Sequence, residues 1–133
     1  MTAASDISSL EWIPRTAGVR NAHCGSVIGW DAVGMPTIWG NRVLARLDQR
    51  TGAVIEDLLA RRLTWLIPVG SATGRQVPAA HGIEILGDGC QLMVPGTLRD
   101  HMLRWLVPPR PHRLLTTPDL LFAATTAALG PTA

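Results

Sequence analysis

Apolar positions along the chain change their period several times, and each change marks an element. From Ser26 the run VIGWDAVGMP is dense in apolar, β-branched and aromatic residues and is stopped by Gly34 and Pro36, which predicts a buried strand with Asp31 in its middle or at its end. Pro36 suits the first turn of a helix, and Ile38, Val43, Leu44 and Leu47 recur at helical spacing until Gly52, so a helix is predicted over 36–49. GAVIED and LTWLIPV are short, β-branched or aromatic, and bounded by turn residues; they read as two strands of a hairpin. GSATGRQVPAA is rich in Gly, Ser, Thr and Pro and reads as loop. GIEIL, QLMVP and LRWLVP are three further strands, and the Gly-Asp-Gly between the first two is a hairpin signal.

The ends are less regular. Residues 1–25 have little periodicity and finish in Gly18, Asn21 and Gly25, which predicts a loosely structured lead with one short helix around Ser9 to Arg15. Thr117-Pro118-Asp119 supplies an N-cap residue, a proline at the first helical position and an early negative charge. Leu120, Leu121, Ala124 and Ala128 follow on one side, predicting a closing helix before Gly130-Pro131. Two helices and about six mostly consecutive strands predict an α+β domain over 26–129, a mainly antiparallel sheet covered by helices on one face, with a tail at 130–133. PPRP at 108–111 reads as a linker that positions the last helix, with a polyproline II docking segment as the alternative.

With 133 residues, 47% of them hydrophobic, the chain can build one core of its own. No apolar run approaches the ~18 residues needed to cross a bilayer, and MTAASDISSLEW lacks the features of a signal peptide, so a cytoplasmic protein with no membrane partner is expected. Cys24 and Cys90 are far apart in sequence and in no CxxC spacing. Neither a zinc site nor a disulfide framework is indicated, and both are expected to be small buried hydrophobes. A net charge of +2 is too small to argue for a nucleic-acid partner by itself. All twelve basic residues are Arg, and Lys and Tyr are absent. Arg61-Arg62 and a looser group of Arg99, Arg104, Arg110 and Arg113 either grip phosphate or solvate the surface; Arg99 and Arg104 are the nucleic-acid contact candidates.

At this point the motifs carry a resemblance. GSATGRQ, then HGIEILGDGCQLMVPGT, then RWLVPP resembles the central part of the bifunctional DNA primase/polymerase N-terminal domain, the prim-pol branch of the archaeo-eukaryotic primase superfamily. WDAVGMP, LARLDQRTGAVIED, WLIPVGSATG, RWLVPP and LLTTPDLL together are similar to small stand-alone actinobacterial proteins labelled as prim-pol relatives, over roughly residues 26 to 129. The resemblance implies a shortened primase-type fold. It also implies chemistry built on a paired-acid strand, a His after the Gly-rich turn and a third acid in a Gly-Ile-Asp strand, the carboxylates holding two divalent cations. This chain departs from that pattern. Asp31 can stand in the first element, but its i+2 neighbour is Val33; Gln76 or Val77 takes the place of the His, with His81 several residues later; only Glu84 matches the third element.

The expected function is therefore a non-catalytic primase-polymerase-like domain, a pseudoenzyme that binds nucleotide or single-stranded nucleic acid. Ser71, Thr73, Gly74 and Arg75 are the phosphate-binding candidates, because a Gly-containing turn lets donors converge. The alternative is a structural or regulatory module that presents Trp and Pro-rich surface to a protein partner or a second copy of itself. A minor alternative keeps weak nucleotidyl transfer with Mg or Mn held by Asp31, Glu84 and Asp88. Asp31 and Glu84 read equally as residues that cap a strand or pair with an Arg. His23 and Cys24 are adjacent on extended chain and point apart, which argues against their sharing a proton. His101 and His112 are expected at the surface. The five tryptophans either include a base-stacking platform or pack, and Trp39, Trp65 and Trp105 are assigned to core or interface.

Overall fold

The computed structural model describes residue 10 and residues 12–13, 19–96 and 102–130. Its elements run β1 (Val19–His23), β2 (Trp30–Pro36), α1 (Thr37–Leu47), β3 (Val54–Asp57), β4 (Arg62–Pro68), β5 (Glu84–Leu86), β6 (Gln91–Pro95), β7 (Leu103–Val107) and α2 (Pro118–Leu129). Five strands form one sheet in the order β5-β2-β4-β3-β7, and β1 pairs with β6 in a separate ribbon; every pairing is antiparallel. The fold is α+β, as the pattern predicts.

Alternation along the two central strands divides the molecule into layers, because successive side chains leave a strand on opposite faces. Val33 and Met35 of β2 and Leu63, Trp65 and Ile67 of β4 point to the helix side and pack with Val43, Leu47, Leu121, Ala124 and Ala128. Trp30 and Ala32 of β2, Ile55 of β3 and Leu66 of β4 point the other way, onto Ala22 and Cys24 of the β1 end, Val94 of β6, and Leu114. The central strands are thus apolar on both faces because both are covered. Helix α1 can lie close to the sheet because Gly40 faces Leu63, where a Cβ would stand 2.7 Å from Leu63 Cδ1. The buried Trp65 indole N–H donates to Thr51 Oγ1 at 3.0 Å, so its polar atom is satisfied inside the core.

Several boundaries differ from the sequence reading. The strand begins at Trp30 and not at Ser26, since residues 26–29 form a turn closed by Gly29 N–H to Gly25 O at 2.9 Å. Pro36 ends β2 and caps α1 from outside, with φ −57° and ψ 146°, and 48–50 is a short 3-10 turn after the helix. β3 and β4 form the predicted hairpin. Gly87-Asp88-Gly89 does not join a hairpin: β5 pairs with β2, and β6 crosses to the ribbon, so the turn passes the chain from one sheet to the other. β1 lies in the lead expected to be loosely structured, while the short helix expected around Ser9 to Arg15 falls largely outside the described residues. Thr117 caps α2 by its carbonyl, which accepts Leu121 N–H at 3.0 Å, and not by its hydroxyl.

Candidate functional site

The end of the sheet where β2 starts and β4 and β5 finish gathers the polar groups of greatest interest. Asp31, the second residue of β2, lies opposite Ile67 and is 6% exposed. Its Oδ2 accepts the Gly70 N–H at 2.9 Å, whereas its buried Oδ1 has no hydrogen-bond partner among the described residues. Leaving a buried carboxylate oxygen without a donor is costly.

Two turns wall a cleft of about 300 Å³ on which Asp31 opens. The first follows β4 and is a chain of reverse turns: Ser71 N–H donates to Pro68 O at 3.1 Å, Thr73 N–H to Gly70 O at 3.1 Å, and Arg75 N–H to Ala72 O at 2.9 Å. The Ser71 hydroxyl also turns inward, donating to Pro68 O at 2.6 Å. The second is Gly87–Cys90, closed by Cys90 N–H to Gly87 O at 3.0 Å with Gly89 at φ 86°, the geometry of a type II turn. Asp88 on this turn lies against Gly25, where any Cβ would overlap Asp88 Oδ1, and Gly25 holds φ 127°. Ser26, Thr73 and Asp88 line the cleft with Asp31.

The structure brings together Asp31 and Asp88 of the sequence candidates and separates Glu84. Glu84 lies opposite Gly34, and Gly34 shares its face with Ala32 and Trp30, so Glu84 projects from the sheet face opposite to Asp31. There it pairs with Arg62 at 3.1 Å, and Arg62 also donates to Gly82 O at 2.9 Å. Arg75 leaves the Gly-containing turn toward α2, paired with Asp119 and with its guanidinium 4.7 Å from the Phe122 ring centre. Gly74 is exposed at φ 81° with open space around it. Arg104 is half-buried, and its Nε and an Nη both reach Glu56 Oε1 at 2.7 Å. Arg99 and His101 lie outside the described residues. His112 is exposed, as expected, and His81 is half-buried, edge-on to Trp39 at 5.5 Å.

Trp65 is fully buried; Trp39 and Trp105 are half-buried, the latter donating its indole N–H to Pro95 O at 2.9 Å. The expectation that both cysteines are buried holds for Cys24 and fails for Cys90, which is exposed because it sits where the ribbon opens to solvent beyond the Gly89 turn. Burial pushes the Cys24 thiol up to about 12, with the negative charge of Asp31 and then Cys90 adding to the shift.

Chemically, the cleft offers two carboxylates and two hydroxyl side chains. That set suits one hard cation or one ligand rich in hydrogen-bond donors; the two-cation arrangement of nucleotidyl transfer needs further carboxylates on the same face. Among the described residues no group of three or more His, Cys, Asp and Glu is placed to hold a metal ion, and no helix is long and apolar enough to cross a membrane. Compared with known proteins, the chain matches no family model, no curated protein and no solved structure.

Proposed function

We propose that this chain is a non-catalytic binding domain of primase-polymerase-like character that holds a nucleotide or a single-stranded nucleic-acid segment at the Asp31 cleft. The observation that carries this reading is Asp31, which lines the cleft and whose buried Oδ1 has no hydrogen-bond partner among the described residues. Such an oxygen is completed either by a hydrogen-bond donor, the amino or ring N–H of a base, or by coordination to a single divalent cation carried in with phosphates. Catalysis is not part of the proposal, because Glu84 is on the other face and engaged with Arg62.

The test is a thermal melt of the protein alone, with nucleoside triphosphates plus manganese, and with a short single-stranded oligonucleotide. A ligand at a hundredfold excess over its Kd stabilises the fold by about 2.7 kcal/mol, a readily measured rise in Tm. Asp31→Asn keeps an acceptor for Gly70 N–H and removes the charge, so it is expected to abolish the rise while leaving the unliganded melt close to the original. No shift with either ligand, or an equal shift in the variant, refutes the reading.

A second reading has its own observation. Leu58, Leu59 and Met102 are 38%, 78% and 45% exposed, and Leu58 N–H donates to Met102 O at 2.8 Å, so the three sit together at the β3–β4 turn beside β7. An apolar group of this kind supports a protein-interaction module on the same scaffold.

A further inference from the structure

The two cysteines, distant in sequence, are neighbours across the ribbon. The register runs Ala22 to Leu92 and His23 to Gln91, and its next step sets Cys24 opposite Cys90. Hydrogen bonds show that step: Cys24 N–H donates to Cys90 O at 2.8 Å, and Gly89 N–H donates to Cys24 O at 2.9 Å. With Gly89 at φ 86°, this is a G1 bulge in which Gly89 and Cys90 together face Cys24. Ala22, Cys24 and Val94 all face the second core, and Leu92 packs against it; Cys90 has the same parity as Leu92 and Val94, so its side chain leaves the ribbon on the face that Cys24 uses.

Residues directly opposed in an antiparallel pair have Cα atoms about 4.5–5.5 Å apart, inside the ~4.4–6.8 Å range of disulfides. Cys90 is exposed and open to an oxidant, while Cys24, which it faces across the ribbon, is buried. We infer that Cys24 and Cys90 form an oxidation site of this protein, a thiol pair that a hydroperoxide converts to an intrachain disulfide.

The steps balance with the hydroperoxide as the only oxidant. The Cys90 sulfur attacks the terminal peroxide oxygen, the O–O bond breaks, and the alcohol or water leaves with the thiol proton, giving a sulfenic acid on Cys90. The Cys24 sulfur then attacks the Cys90 sulfur, the S–O bond breaks, and the hydroxide leaves as water with the Cys24 proton. Two thiols have lost two electrons and two protons to the peroxide. The bond ties the 25–29 turn to the 87–90 turn, and these carry Ser26 and Asp88 to the cleft. The inference itself does not depend on what the cleft binds.

The experiment treats the full chain with hydrogen peroxide, blocks remaining thiols under denaturing conditions, and reads the intact mass and a non-reducing peptide map. The expected result is loss of two hydrogen masses, no blocked thiol, a peptide joining Cys24 to Cys90, and a Tm raised by several degrees that a dithiol reductant reverses. Cys90→Ser, a substitution at the exposed member, is expected to leave Cys24 as a free thiol under the same treatment. Sulfinic or sulfonic acid on Cys90 beside a free Cys24, dimers linked through Cys90, or two unreacted thiols would each overturn the inference.

Discussion

Raising the pH of the Cys90→Ser variant isolates one buried group with unusual clarity. The chain has no Lys and no Tyr, so between the end of amine titration and the arginine range the thiol of Cys24 is the only side chain left to ionise. In the folded state that thiol is pushed from 9.0 up to about 12, chiefly by burial, with Asp31 next. The neutral form is therefore the one the fold prefers. Well below pH 9 both states carry the proton and this thiol's contribution is flat with pH; between 9 and 12 the unfolded chain ionises while the folded one does not, and stability falls by about 1.4 kcal/mol per pH unit. Across the whole window the loss reaches ~4 kcal/mol, an upper figure for a domain whose total is about 5–15 kcal/mol. The assay is urea unfolding at a series of pH values, with thiolate absorbance following ionisation of the native protein. A Cys24→Ala, Cys90→Ser double variant should lose most of this slope. Equal alkaline slopes in the two variants, or native-state ionisation near pH 9, would refute the argument that burial holds the proton on Cys24.

Two further substitutions test the turns and the sheet edge. Gly25→Ala meets both a left-handed φ of 127° and Asp88 Oδ1, and is expected to cost about 1–3 kcal/mol, whereas Gly74→Ala has strain at φ 81° with open space around it and should cost less; comparing urea midpoints checks the order. Arg104→Met strands Glu56, whose side chain is 12% exposed, and should cost ~3 kcal/mol, while Glu56→Leu with Arg104→Met should recover most of that loss; a double-mutant cycle decides it.

What the sequence made legible was local. The helix from Ile38 to Leu47, the β3–β4 hairpin and the Thr117-Pro118 start of α2 all follow from period and turn chemistry in one stretch of chain. What stayed hidden depends on register between distant strands. β1 carries only five residues with polar Arg20, Asn21 and His23 among them, and reads as loop until β6 is found beside it. Gly87-Asp88-Gly89 signals a tight turn correctly, but a turn does not say whether its flanks pair with each other. The same limit governs the site. The sequence pattern groups Asp31 with Glu84, and the pleat sets them on opposite faces, while Asp88 reaches Asp31's cleft because the chain changes sheets there. Cys24 and Cys90 look unrelated for that reason too.

The antiparallel ribbon has a consequence for how the chain finds its fold. The β3–β4 hairpin closes across four residues, yet β1 must wait for β6, and β7 must return to β3 from far along the chain. Closing the larger loop costs more entropy, and that cost comes due before the ribbon's own contacts compensate it. By the same loop-closure argument the β2–β4–β3 core with α1 can form as a first unit, and α2 and the ribbon then dock later. The wall of the cleft that carries Ser26 and Asp88 adjoins the ribbon, so loss of the ribbon's pairing would open the cleft without requiring the β2–β4–β3 core to unfold.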